Sequence, residues 1–279
     1  MRSFLNNLMI SGKVVIGEGE RDKAPMLYIG EEVGKGGPKV DIALDPLEGT
    51  TITAQGGENA LSVLAMGEEG SFLHCPDIYM HKIAFGKNYQ DLDIDPNEPH
   101  DIILRKFAQF ANIKIENVVV CTLDRPRHSE LIKSIRSTGA RIKLIPDGDV
   151  SAVISTSIDD SGIDMYMGIG GSPEGVLGAA ALRCLGGKIY SKLVFNDDEV
   201  FERAQTMGIK DKNTIYTTND LASGDVMFSA TGVTDGTMLK GVHYKNNIAT
   251  THSVVMRSKT NTVRYITANH DLNKKTIIK

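Results

Sequence analysis

One stretch concentrates the residue types that metal-assisted chemistry requires: Val40-Asp41-Ile42-Ala43-Leu44-Asp45-Pro46-Leu47-Glu48-Gly49-Thr50. A run of β-branched and aliphatic residues delivers Asp45, the proline enforces a turn, and Glu48 follows three positions later. Two carboxylates held this close repel each other unless a cation lies between them. Mg²⁺ and Mn²⁺ take oxygen ligands in near-octahedral geometry, and the carbonyl of Leu47 is a third candidate oxygen. Gly49 and Thr50 would then open a helix or a nest of N–H groups suited to phosphate oxygens. Spacing alone supports a solvated strand-to-turn corner equally well.

A second acidic loop, Gly17-Glu18-Gly19-Glu20-Arg21-Asp22, occupies the same place relative to its own apolar run, Lys13 to Ile16. By itself it reads as a solvated loop. Beside Asp45 and Glu48 it would complete a multi-metal carboxylate site, of the kind in which two ions bridge an in-line displacement at phosphorus. Arg125 and Arg127 bracket Pro126, and arginine's planar fork suits a phosphate, although a surface ion pair is its commoner use. Asp147 and Asp149 flank Gly148 and read as the N-cap of a following helix, a role that can coexist with that of ligand. The loop Gly168 to Gly175 lies between a strand and a helix, but Pro173 stands where a dinucleotide fingerprint needs glycine. The histidines show no metal-ligand spacing and no GxSxG elbow is present, so the histidines, His128 included, are assigned to surface or core roles.

Elements that would position these side chains follow from periodicity. Strands are expected at 13–16, 40–44, 60–66 and 82–85, then an amphipathic helix over 101–111. From residue 117 the pattern becomes regular: strands at 118–122, 142–145 and 164–168, with helices at 129–137, from about 151, and at 176–185. This alternation marks parallel strands with crossover helices, whose ligands bind beyond the strands' carboxyl ends. Three successive loops there carry Arg125 and Arg127, then Asp147 and Asp149, then Glu174. Further strands are expected at 226–229, 252–257 and 262–267. The pattern predicts an α/β protein with an N-terminal α+β domain over 1–113 and a C-terminal α/β domain over 114–279.

Composition narrows the class without naming an activity. A chain of 279 residues buries a large core without staples. The 31 basic against 35 acidic residues leave a net charge of −4, which argues against nucleic acid or an anionic membrane as partner. No apolar run is long enough to span a bilayer, and Asn6 and Asn7 interrupt the stretch a signal peptide would need. Cys75, Cys121 and Cys184 are widely spaced and odd in number, which reads as reduced thiols of a cytoplasmic protein.

Taken together, the motifs resemble the bacterial class II fructose-1,6-bisphosphatases, within the lithium-sensitive, metal-dependent sugar phosphatase superfamily. The superfamily run is Asp45-Pro46-Leu47-Glu48-Gly49-Thr50. Narrower marks are Ile16 to Glu20 with Asp22, Ala24 to Gly30, Pro76 to Met80, Arg125-Pro126-Arg127-His128, Ile145 to Asp149, Gly168 to Gly175 and Phe228 to Gly232. The resemblance implies a layered α-β-α-β-α sandwich. It implies Mn²⁺ or Mg²⁺ held by Glu18, Asp45, Glu48 and Glu174, with the Leu47 carbonyl as an addition. It further implies that Thr50 and Asp22 position and deprotonate the attacking water, and that Glu48, Gly49 and Thr50 hold the scissile phosphate. Tyr79, Arg125, Pro126, Arg127, Asp147, Gly148, Asp149 and Gly171 match positions that contact the sugar and its second phosphate. The implied reaction removes the 1-phosphate of fructose 1,6-bisphosphate, a gluconeogenic step, in a cytoplasmic homo-oligomer (dimer or tetramer).

The family pattern also has an earlier helical segment with a lysine and an aspartate at the site, and Met1 corresponds to the end of that segment. A site with one carboxylate fewer is expected to bind at least one ion more weakly. Two alternatives stand beside the leading reading. One keeps the chemistry and changes the substrate to sedoheptulose 1,7-bisphosphate, an inositol phosphate or a nucleotide phosphate. The other is a non-catalytic sugar-phosphate-binding remnant.

Overall fold

Short aliphatic runs bounded by glycine, proline and asparagine become strands, which gather into two mixed sheets in the computed structural model. Residues 1–18 and 25–275 are described. The first sheet has eight strands: β1 (Ser11–Ile16), β2 (Glu32–Val33), β3 (Lys39–Glu48), β4 (Leu61–Glu68), β11 (Val226–Gly232), β12 (His243–Lys245), β13 (Ile248–Arg257) and β14 (Thr262–Asp271). The second has six: β5 (Tyr79–Phe85), β6 (Val119–Leu123), β7 (Arg141–Ile145), β8 (Met165–Gly171), β9 (Lys188–Val194) and β10 (Tyr216–Thr217). Every strand expected from periodicity is present, most of them longer by a few residues. The last strands of the chain return to the first sheet, so sheet membership does not follow a cut at residue 113.

Parallel pairing occurs where crossover helices predict it. β6 pairs in parallel with β7 and with β8, joined by α4 (Ser129–Ser137) and α5 (Asp149–Ser155). The regular alternation stops at β8. β5 enters beside it and runs antiparallel to both β8 and β9, so the second sheet is mixed. β9 and α7 (Asp198–Thr206) lie outside the expected elements. Ser191, on the buried face between Ile189 and Leu193, interrupts the apolar alternation that would have announced β9.

The helix α6 (Ser172–Leu185) sits between the sheets, packing on β3, β4, β11 and β13 of one and on β5, β8 and β9 of the other. Val176, Leu177, Ala179, Ala180, Ala181 and Leu182 are fully buried, as a helix flanked on both sides requires. Small residues let it come close: the Gly178 face lies against Val153 of α5. On the outer face of the second sheet, α3 (His100–Ala111) and α4 cover Ile83, Phe85, Val118, Val120, Met165 and Met167. On the outer face of the first, Leu5 of the short α1 (Arg2–Leu5) joins Val14, Val33, Ile42 and Leu44. The order of layers is therefore the expected α-β-α-β-α sandwich. The short helices α2 (Thr50–Ala54) and α8 (Thr218–Leu221) sit at strand ends.

Phe107 anchors the outer layer, fully buried with its ring centroid 4.6 Å from Tyr89 and 6.3 Å from Phe85. Phe107→Ala should cost about 3–5 kcal/mol in chemical denaturation, because the truncated ring leaves a cavity the sheet cannot close. The residue is remote from the acidic cavity described next, so KM of the folded fraction should stay unchanged.

Candidate active site

The site lies at the carboxyl ends of β1, β3, β6, β7 and β8, where the chain leaves each strand with an acid or an arginine. β3 runs parallel to β1 and antiparallel to β4, and its register against β4 slips between Asp45 and Glu48. Pro46 supplies no N–H to the ladder, so the slip falls there and turns both carboxylates towards one cavity. Asp45 folds over this irregularity, its Oδ1 accepting a 2.9 Å hydrogen bond from the Leu47 N–H. Gly49 follows at φ +90°, a conformation that needs glycine, and caps α2, whose first residue is Thr50.

Among the described residues, six carboxylates line the cavity, about 260 Å³: Glu18, Asp45, Glu48, Asp147, Asp149 and Glu174. Leu47, Gly49, Thr50, Gly171, Arg125 and Arg127 share its walls. Tyr79 stands behind Arg127, whose guanidinium carbon sits 4.7 Å from the ring centroid, while Arg127 Nε donates to the Ile169 carbonyl at 2.9 Å. Arg127 is thus oriented by a cation–π contact and a hydrogen bond, with its fork left to the cavity. Pro126 starts the single 3₁₀ turn Pro126–His128 that sets the two arginines apart. Asp22 lies outside the described residues.

His128 is a structural clamp. Its Nε2 accepts from the Ile169 N–H at 2.7 Å, so the proton is on Nδ1 and is donated to the Leu123 carbonyl at 2.7 Å. Burial lowers its pKa, which keeps the ring neutral and the clamp intact. This is the core role expected for it.

Gly148 at φ +85°, not an aspartate, is the N-cap of α5, and Asp149 makes no capping bond. The N-cap reading of Asp147 and Asp149 is therefore corrected. Asp149 turns inward, where its Oδ2 takes a 2.5 Å ion pair from Lys82 and a 3.3 Å hydrogen bond from Tyr166. Neither Lys82 nor Tyr166 was singled out by sequence motif. A usable signal existed for the lysine: it falls between Met80 and Ala84 on the buried face of an alternating strand, where a charge needs a partner.

Electrostatics carries the clearest mark of a cation site. Glu48 is buried, and one oxygen accepts a long 3.4 Å bond from Val150 N–H while Oε2 has no partner among the described residues. Glu174, in the first turn of α6, has a buried Oε2 in the same condition. Burial first, then the negative charges of Asp149, Glu174, Asp45 and Asp147, hold Glu48 well above the usual carboxylate range. Burial and Asp149 push Glu174 up to about 7, against an opposing pull from Lys82. Asp45 is pushed up to about 6, by burial, then against the Leu47 hydrogen bond by Glu18 and Asp147.

A hard divalent ion answers each of these features: it satisfies the orphaned oxygens and offsets the mutual repulsion. The carboxylate donor set therefore fits Mg²⁺ or Mn²⁺. Among the described residues no three His, Cys, Asp or Glu side chains already converge closely enough to hold a metal ion. Ions would be held by an open fan of carboxylates, with water and phosphate oxygens completing the shell. A larger cavity, about 550 Å³, lies at the amino ends of β1 and β3. Its charges are mixed and Lys39 already pairs with Glu69 at 3.0 Å, so its volume does not make it the better site.

An α/β sandwich that gathers this acid cluster opposite two arginines has the build of a metal-dependent sugar phosphatase. Comparison with known proteins narrows it. A family model described as bacterial fructose-1,6-bisphosphatase, glpX-encoded, matches residues 1–270. The chain is 43% identical over 289 aligned positions to fructose-1,6-bisphosphatase 1 class 2 of Escherichia coli strain K12, covering 99% of this chain and 86% of that protein. The class 2 enzymes of Escherichia coli O6:H1 and Shigella flexneri match with the same identity and coverage. The chain belongs to the bacterial class II fructose-1,6-bisphosphatase family.

The raised carboxylates set a pH dependence with a defined sign. In the metal-free protein Asp45 and Glu174 hold more protons folded than unfolded between about pH 4 and 7, so their contribution to stability falls as pH rises through that window. His81, His100 and His128, whose lowered pKa values act in the opposite direction, partly offset this. Metal binding displaces those protons, so Mn²⁺ affinity should climb by up to about tenfold per pH unit for each proton released. Melting temperatures at pH 5 and pH 8, with and without Mn²⁺, check this: the metal-free protein should melt lower at pH 8, and Mn²⁺ should raise it most there. Equal melting temperatures at the two pH values would contradict the burial of these acids.

Proposed function

We propose that this chain hydrolyses the 1-phosphate of fructose 1,6-bisphosphate to fructose 6-phosphate and phosphate, a gluconeogenic step, with Mn²⁺ or Mg²⁺ as the required ion. The observation that carries the reading is that one cavity is lined both by buried carboxylate oxygens with no partner among the described residues and by two arginines. Carboxylates able to hold cations beside guanidinium groups suit a substrate that is anionic at both ends. Membership of the family, over nearly the whole chain, supplies the reaction.

On this reading Glu18, Asp45, Glu48 and Glu174, with the Leu47 carbonyl, hold the ions. When bound, these supply charge neutralisation for the phosphate oxygens and acidify the attacking water. Glu48, Gly49 and Thr50 seat the scissile phosphate at the turn where β3 meets α2. The Thr50 hydroxyl orients the water, and Asp22 accepts its proton, an assignment made on sequence alone. Arg125 and Arg127 clamp the second phosphate, with Pro126 fixing the turn between them and Tyr79 backing the guanidinium. Asp147, Gly148, Asp149 and Gly171 face the sugar hydroxyls.

The division at residue 113 is functional on this reading. Glu18, Asp45 and Glu48 come from the first part and the arginines from the second, while Glu174 reaches across from α6. A cytoplasmic homo-oligomer fits the same reading, and Cys75, Cys121 and Cys184 are buried thiols rather than disulfides.

Asp45→Ala and Thr50→Ala should each abolish Mn²⁺-dependent phosphate release from fructose 1,6-bisphosphate, a loss of at least about 10³-fold out of an enzymatic acceleration reaching roughly 10²¹-fold. The first removes an ion ligand and the second the hydroxyl that orients the water. Retention of most turnover by either variant would refute these roles. Arg127→Ala should raise KM for the bisphosphate about 10–100-fold, the loss of one charge-assisted contact to a phosphate. A panel with sedoheptulose 1,7-bisphosphate and inositol 1-phosphate tests the substrate: faster turnover of either than of fructose 1,6-bisphosphate would replace the assignment.

A further inference from the structure

Below the acidic cavity lies a lysine with no role in the reading above. Lys82 is on β5, and its side chain is completely buried. It points to the face of β5 that meets α6, between Met80 and Ala84, and its stem passes Gly175 in the first turns of that helix. Two of its three donors are spent within the protein. One makes the 2.5 Å ion pair with Asp149 Oδ2, and another donates to the Gly171 carbonyl at 2.9 Å. Gly171 is the N-cap of α6, three residues before Glu174.

The arrangement leaves almost no space. A Cβ at Gly170 would collide with the Asp149 carboxylate and sit 2.9 Å from the lysine nitrogen. A Cβ at Gly171 would strike the Glu174 carboxylate. Two adjacent glycines thus make room for two carboxylates with a lysine beneath them. Asp149 has its negative charge answered from within, whereas Glu48 and Glu174 each keep a buried oxygen with no hydrogen-bond partner among the described residues. All three acids border the same cavity.

We propose that Lys82 is a positioning residue that acts as a fixed internal cation: it occupies Asp149, reserves that carboxylate for the sugar, and confines divalent ions to the side of Glu48 and Glu174. Burying a charge this deeply is tolerated only because it is paired and hydrogen-bonded. Its removal would leave Asp149 as a further unpaired acid beside Glu48 and Glu174, the setting in which carboxylates recruit a cation or a proton. Through the Gly171 carbonyl the same ammonium also holds the turn from which Glu174 projects. The inference rests on the reading of the cavity as a divalent-ion site.

The test counts ions on the full chain. Free Mn²⁺ is followed by electron paramagnetic resonance at pH 8 for the native protein, Lys82→Met and the double variant Lys82→Met/Asp149→Asn. Lys82→Met should bind at least one more Mn²⁺ per chain, and its KM should rise about tenfold while kcat changes less, because Asp149 is diverted from the sugar. The double variant should return to the native ion count. A lysine that merely fills space would alter the melting temperature and leave the count alone, and an unchanged count in Lys82→Met overturns the proposal. Should that variant fail to fold, Asp149→Asn decides: the freed ammonium should weaken Mn²⁺ binding about tenfold, and native affinity would sink the idea. If the native protein binds no Mn²⁺, the ion-site reading itself fails; native binding with an unchanged count removes only the role of Lys82.

Discussion

Carboxylates that share a partly buried cavity lose hydration and repel one another, and the architecture around this site answers that constraint. Left alone, the acids would take up protons, which is the direction in which Asp45, Glu48 and Glu174 are pushed. The acids stay close because different elements fix them: Glu18 beyond β1, Asp45 and Glu48 on β3, Asp147 before α5, Asp149 at its start, Glu174 on α6. No local rearrangement separates them without unpicking a sheet or a helix. The cost is stored in the fold and recovered when a cation and a polyanionic substrate enter, which is how binding energy becomes specific for that combination.

Two features of the packing hold the acids in place. The irregularity at Pro46 turns Asp45 and Glu48 to a common side, where an unbroken strand would place residues three apart on opposite faces. The second is α6, clamped between the sheets through small residues and carrying Glu174 in its first turn. A helix packed on both faces has little freedom to slide, so the position of Glu174 relative to β3 is set by core packing rather than by its own loop. Lys82 ties the start of α5 to the start of α6, through Asp149 on one side and Gly171 on the other.

Much of this was readable in advance, for particular physical reasons. The strands bearing the acids are short aliphatic runs ended by proline or glycine, and the three loops of the regular region follow strands whose crossovers force them to one edge of the sheet. That placed Arg125, Arg127, Asp147, Asp149 and Glu174 together, and the structure brings all five to one cavity. The aspartates at 147 and 149 were less legible: an acid beside a glycine before a helix suits an N-cap as well as a ligand, and Asp149 turned out to be neither capping nor exposed. His128 was legible only as a residue without metal-ligand spacing; its clamp between Leu123 and Ile169 depends on a partner 41 positions away.

The sequence by itself determined the local matters: which segments are strands and helices, where Gly49 and Gly148 break them, and which acids and bases stand at the breaks. It also carried the family, because the superfamily run and its companion motifs are contiguous. The tertiary structure alone decided which charges meet. Two sheets whose strands interleave along the chain, and a helix buried between them, bring residues 18, 48, 149 and 174 to one cavity and place Lys82 beneath it. Ion pairing depends on distance in space, and no periodicity along the chain encodes the pairing of Lys82 with Asp149 across 67 residues.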